Sequence, residues 1–316
     1  MSSLPPQSPV FIVGAPRSGT TLLQYMLRSH PSLSLPTGES HFIVPYYRDA
    51  AHYDDLSSVE SLRALLADMR QRNREFIETD LHGIAFNENH LSQQFFAEGR
   101  RGVRDVLTGL FEKNAAGEGK PRWGDKTPYY VLHLPKLLEW WPDAQIVHVI
   151  RDGRDVALSL LARQHDFGVY NTYFAAKYWE HYVEVGHATG SRLSPSRYLE
   201  IRYEDLIRTP HATLEEVCAY LNIPFSENVV DFKKSGMAGK TPLLQQPVQA
   251  SNAEKWRSAM SAPQIRIFEG AVGPTLQRFH YPLTTSARRH PLPLRAAWRW
   301  HNALAAQWHR AQQSRI

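Results

Sequence analysis

The 316-residue sequence has a single cysteine, Cys218, so no disulfide can close within it. That residue sits in the amphipathic stretch "LEEVCAYLNI", where a buried thiol is expected. No window approaches the roughly eighteen consecutive apolar residues that an ordinary membrane-spanning helix needs. The opening "MSSLPPQSP" lacks the basic and apolar regions of a signal peptide, and residues 1–9 read as a flexible terminus. With neither disulfides nor a leader, a cytoplasmic location is expected. Excess charge is also scarce, since 36 Lys+Arg against 31 Asp+Glu leaves +5. That is too mild for a nucleic-acid partner and favours a small anionic ligand. The 15 histidines show no metal-ligand spacing, so no metal is expected.

What is present is an alternation of strands and helices. Residues 10–13 form an apolar, β-branched run ending at Gly14, and "TLLQYMLRSH" follows with helical spacing. "AQIVHVI" and "YLEIRYEDLI" read as further strands, each followed by a helical pattern. This predicts an α/β fold, a doubly wound parallel sheet with a P-loop-like phosphate-binding loop, spanning residues 10–281. Residues 45–120 are helical in pattern without a convincing strand, and read as a helical insertion over one face of the sheet. Residues 282–316 change in composition to Pro, Trp and Arg. They are expected to form a basic amphipathic helix that packs on the body, with contact to a partner or to an anionic membrane surface left open.

Two stretches carry chemistry. In "GAPRSGTT", Gly14 and Gly19 have the spacing of a loop whose backbone N–H groups and helix N-terminus converge on an anion. A glycine pair alone marks only a tight turn, but Arg17, Ser18, Thr20 and Thr21 in the same loop argue for a ligand. The nucleoside-triphosphate version carries a lysine after the second glycine, and here Thr20 stands in its place. That weakens a phosphoryl-transfer reading, which relies on the lysine together with a metal. "HVIRDGRDVALSLL" repeats the geometry, with Arg151 at a strand's C-terminal edge and Ser159 on the helix that follows. Ligands of open α/β sheets gather along that edge, so Arg151 and Arg17 should face one crevice. Two anion cradles suit a nucleotide phosphorylated at two positions.

"FIVGAPRSGTTLLQYMLRSHP", "GDKTP", "IVHVIRDGRDVALSL" and "RYEDL", in this order, resemble the PAPS-dependent sulfotransferases, PAPS being 3′-phosphoadenosine 5′-phosphosulfate. The local match is to tyrosylprotein sulfotransferases and their bacterial relatives. The resemblance implies PAPS as sulfuryl donor and no metal, with the first loop on the 5′-phosphosulfate and the Arg151/Ser159 motif on the 3′-phosphate. "GESHFIVP" resembles a segment bearing a catalytic glutamate, which implies that role for Glu39. "GDKTP" likewise implies a catalytic lysine at Lys126, and "QPVQASNAEKW" implies nucleotide contacts at Lys255 and Ser251, with Thr241 before them. Tyr203 in "RYEDL" is implied as another nucleotide contact. Unlike the Golgi enzymes of this group, the chain has no cysteine pair, and it also lacks the glycine-rich ending of the cytosolic small-molecule enzymes.

The expected reaction is in-line transfer of a sulfuryl group from PAPS to a hydroxyl. Glu39 is the first choice of general base, in a pocket apolar enough to raise its pKa, and His41 is the alternative. Arg17 and Lys126 would stabilise the leaving oxygen. A P-loop kinase or phosphotransferase and a non-catalytic nucleotide-binding protein are the competing readings. The acceptor stays open among a small molecule, a glycan, a lipid hydroxyl and a peptide tyrosine, as does the oligomeric state.

Overall fold

The computed structural model describes residues 8–53, 55–81, 86–232 and 249–313. Five parallel strands form one sheet: β1 (Val10–Gly14), β2 (Leu33–Ser34), β3 (Arg122–Lys126), β4 (Gln145–Ile150) and β5 (Tyr198–Arg202), in the order β2-β3-β1-β4-β5. Side chains alternate across the pleat. Phe11, Val13, Ile146 and Ile150 therefore enter one apolar cluster, while Val10, Ile12, Val147 and Val149 enter the other. Burial on both faces is why β1 and β4 read as near-continuous apolar runs rather than alternating ones.

Helix α1 (Thr20–Arg28) leaves the end of β1, and α2 (Gly153–Ala162) leaves the end of β4. The long α3 (Thr172–Gly190) packs against α2 and against α4 (Ala262–Arg278). Between β2 and β3 the described residues form helices Ile43–Arg48, Val59–Arg72, Glu88–Ala97 and Val103–Gly117. Their apolar stripes, among them Leu62, Leu66, Phe95 and Leu110, join the cluster of Phe11 and Val13. The C-terminal stretch carries a helix, α5 (Leu292–Gln313).

Three strands depart from the sequence reading, the two-residue β2 (Leu33–Ser34) being too short to leave any pattern. β3 contains Arg122, Asp125 and Lys126, all buried, and pairs in register with β1, where Phe11 lies opposite Asp125 and Ile12 opposite Lys126. Burying three charged residues in a central strand defeats any apolar-run criterion. The third expected strand also stops earlier, at Arg202, because Tyr203 already begins the helix Tyr203–Arg208.

Candidate active site

The β1–α1 turn makes the first cradle. A side chain at Gly14 would put its Cβ 2.5 Å from the Val149 carbonyl oxygen. Gly19 has φ 93°, and a Cβ there would lie 2.2 Å from the Tyr203 ring, so both glycines are required by close approach. Between them Arg17 adopts a left-handed φ of 73°. Its Nε donates to Ser159 Oγ at 2.8 Å, which ties the first loop to α2. Burial and then the neighbouring charges of Arg163 and Arg151 lower the Arg17 pKa. Ser18 Oγ is buried with no hydrogen-bond partner among the described residues. Thr20 and Thr21 open α1.

Lys126, at the C-terminal end of β3, is almost wholly buried. Its Nζ donates to Glu39 Oε1 at 2.6 Å and to Thr21 Oγ1 at 3.3 Å. The other Glu39 oxygen lies 3.0 Å from His41 Nε2. The expected rise in the Glu39 pKa is not found. Burial pushes it up, but the Lys126 charge and the hydrogen bonds from His41 and Lys126 outweigh this and hold it at about 2. A carboxylate with an ammonium in contact is stabilised in its charged form however apolar the rest of the pocket is. His41 itself is exposed with φ 50°, so residues 39–41 are not extended, although the two side chains do meet.

The Glu39 loop hangs on a buried network that the sequence reading passed over. Ser40 N donates to Thr127 Oγ1 at 3.0 Å, and the hydroxyls of Ser40 and Thr127 both donate to Asp125 Oδ2 at 3.0 Å. Tyr130 OH closes it, 2.8 Å from Ser40 Oγ. Burial is the largest influence on Asp125 and raises it to about 6. The only sequence signal was the Asp in "GDKTP", which equally suits a helix cap.

The second cradle adjoins the first. Arg151 Nη1 donates to the Arg17 carbonyl at 3.3 Å and Nη2 to the Asn252 carbonyl at 2.7 Å. Its guanidinium lies 4.4 Å from the centre of the Tyr203 ring, so that ring is wedged between Gly19 and Arg151. Arg151 Nε and Asn252 Oδ1 are buried without a hydrogen-bond partner among the described residues. Asp155, one turn along α2, accepts from the backbone N–H groups of Glu254 and Trp256, each at 2.8 Å. That grip fixes residues 254–256 beside the cradle, with Lys255 exposed between them and Ser251 exposed nearby. Thr241 and residues 1–7 lie outside the described residues. Arg154 belongs to the scaffold: it is fully buried, pairs with Asp152 at 2.8 Å and Glu269 at 2.7 Å, and covers Trp256.

The structure thus brings Arg17, Ser18, Gly19, Thr20, Thr21, Glu39, His41, Lys126, Arg151, Ser159 and Tyr203 to the C-terminal edge of β1, β3 and β4. Chemically the arrangement gathers two arginines, a lysine, loop hydroxyls and one carboxylate around the glycine turn. Among the described residues no group of three or more His, Cys, Asp or Glu could hold a metal ion.

A family profile described as the sulfotransferase family matches residues 9–227. A curated protein-tyrosine sulfotransferase of Drosophila melanogaster is 25% identical over 272 residues, covering 81% of this chain and 48% of the relative. An uncharacterized protein of Aquifex aeolicus is 27% identical over 266 residues, covering 80% of this chain and 31% of that protein. The chain therefore spans a third to a half of the length of these relatives. A sulfotransferase domain from the curacin biosynthetic pathway superposes with a TM-score of 0.56 at 24% identity, covering 89% of this chain and 100% of the domain, and shows the same fold. These relatives correct the expected cytoplasmic location. They include protein-tyrosine sulfotransferases, the group whose members the sequence resemblance places in the Golgi. Cysteine count and missing apolar runs report on this stretch of chain and not on its compartment. Among the described residues no helix is long and apolar enough to cross a membrane.

Proposed function

The chain belongs to the sulfotransferase family, and from that premise we propose that it transfers the sulfuryl group of PAPS to an acceptor hydroxyl by direct in-line attack, without a metal. The observation that carries the reading is the Lys126 ammonium, which touches both a carboxylate, Glu39, and a hydroxyl of the phosphate loop, Thr21. Base and leaving-group cation thus meet at the anion cradle.

The cradles suit a doubly phosphorylated nucleotide. Buried polar atoms without partners are costly, and Ser18 Oγ and Arg151 Nε are two such donors, one in each cradle. The loop would hold the 5′-phosphosulfate through Arg17, Ser18, Gly19, Thr20 and Thr21, and Arg151 and Ser159 would read the 3′-phosphate, the Ser159 hydroxyl also accepting from Arg17 Nε. Lys255 and Ser251 would border the nucleotide, and Tyr203 would set the floor. When bound, PAPS supplies an activated sulfuryl group with a phosphate leaving group.

In the proposed step the acceptor oxygen bonds to sulfur as its proton passes to Glu39. The bond from sulfur to the bridging oxygen breaks, and its electron pair stays on the nucleotide phosphate. Lys126 and Arg17 stabilise that growing charge, which is worth more in the transition state than in the ground state. As Lys126 turns from Glu39 towards the leaving oxygen, Glu39 loses its main stabilising charge and burial raises its basicity when a base is needed. A cleft of about 270 Å³ opens on the Glu39 side, lined by Gly38, Ser40, Asn73 and Phe76 together with the charged Arg72, Arg74, Glu75 and Asp80. We assign the acceptor to it. The protein-tyrosine sulfotransferase relatives make a phenolic hydroxyl one candidate.

The test is calorimetric titration with 3′,5′-adenosine bisphosphate without magnesium, beside AMP, and beside ATP with magnesium. The bisphosphate should bind most tightly, and Arg151→Ala should weaken it at least about tenfold while changing AMP little. Preference for ATP with magnesium would return the loop to phosphoryl chemistry, a reading that Thr20 in place of the lysine disfavours. Equal losses for bisphosphate and AMP would remove Arg151 as the 3′-phosphate reader.

A further inference from the structure

Among the described residues, the large hydrophobic side chains left exposed all lie on α5: Leu292, Leu294, Trp300, Leu304 and Trp308. One face of that helix is docked. Trp298 stacks on Tyr173 with ring centres 5.2 Å apart, and His309 stacks on His165 at 3.9 Å. Between them the buried Asn302 accepts from Tyr170 N–H at 2.7 Å and donates to the Gly168 carbonyl at 2.9 Å. Residues 298, 302 and 309 are spaced to fall on one side of a helix.

The opposite side carries Trp300, Leu304 and Trp308, four residues apart and 69%, 60% and 65% exposed. The exposed Ala297 and Ala311 continue this row. A surface helix ordinarily turns its apolar stripe to the core, and α5 turns such a stripe outward. Arg299 and Arg310 are also exposed beside it. Across residues 270–316 the sequence holds seven arginines and no aspartate or glutamate.

We infer that α5 docks the protein on an anionic lipid surface, with Trp300, Leu304 and Trp308 entering the headgroup region and Arg299 and Arg310 facing lipid phosphates. Three features select this occupant. The stripe is a ridge on one helix, its three large side chains 60% to 69% exposed, rather than a recess that encloses a ligand. Pairing with a second copy helix to helix through the same face would bring arginine against arginine, with no acid on the helix to offset them. Tryptophans on an apolar face beside arginines are the composition that binds at a lipid–water boundary, where basic residues gain from anionic headgroups.

The experiment is flotation of the full chain with vesicles of phosphatidylcholine alone, or of phosphatidylcholine mixed with phosphatidylglycerol. The protein should float with the mixed vesicles, weakly or not at all with the neutral ones, and binding should fall as salt rises. The combined Trp300→Ala, Leu304→Ala and Trp308→Ala variant removes only exposed side chains and should lower the partition at least about tenfold. Arg299→Ala with Arg310→Ala should lower it on mixed vesicles and leave neutral vesicles unchanged. Absence of flotation with either vesicle, or undiminished flotation of the triple variant, overturns the inference. So does a concentration-dependent dimer in sedimentation that the triple variant breaks, because a second copy would then cover this face.

Discussion

Lys126 and Glu39 hold each other in the states their proposed roles need: an ammonium beside the loop and an ionised carboxylate beside the cleft. Lys126→Ala should therefore lower kcat by about a hundredfold or more and shift the affinity for 3′,5′-adenosine bisphosphate far less. A variant with near-normal turnover would take Lys126 out of the mechanism. The pH profile separates Glu39 from His41. Because Glu39 sits at about 2, it stays ionised in the free protein through the neutral range, so kcat/KM should be flat with no acid limb between about pH 5 and 7. An acid limb in that range that vanishes in His41→Ala would pass the role of base to His41.

At the scale of elements, β3 is where the sequence was least informative. β1 and β4 were legible because burial on both faces leaves a mostly apolar run, broken inside β4 only by His148, and their loops because glycine, arginine and hydroxyls recur at fixed offsets. "RWGDK" offers neither signal; it becomes a strand because β1 and β2 pair with it on either side. The same blindness hid Asp125, whose work is to hold Ser40 and Thr127 and, through them, the Glu39 loop. Arg151 and Arg154 look equivalent in "RDGRD", yet burial sends the second into ion pairs within the scaffold and leaves the first at the cradle. β3 also leaves a pH signature. Asp125 is raised by burial to about 6, so the folded state binds its proton more tightly than the unfolded chain. Its contribution to stability is full below the ordinary aspartate range and is lost as pH rises through about 6. Urea unfolding across that window should show this fall in the wild type and a smaller one in Asp125→Asn. Identical slopes would assign the pH dependence to other groups.

At the scale of the whole molecule, Arg154 locks α2 to α4 through ion pairs with Asp152 and Glu269. Glu269 on α4 and Arg154 on α2 are fully buried, and Arg154 also donates to the Pro282 carbonyl at 3.0 Å. Glu269 accepts from the backbone N–H groups of Thr284 and Thr285, at 3.0 and 2.7 Å. Arg154 keeps its pair with Asp152 when Glu269 is neutralised, so Glu269→Gln should cost about 1 to 3 kcal/mol, read as a lower urea midpoint; an unchanged midpoint would show that Asp152 alone satisfies the guanidinium. The same lock has a geometric consequence. The segment leading to α5 is riveted to the body at Pro282, Thr284 and Thr285, so the terminal helix cannot swing as a loose tether would. Whatever that helix rests on, the candidate-site edge of the sheet keeps one distance and one tilt from it. An acceptor anchored to the same support would be selected by the length of its stalk as well as by its chemistry.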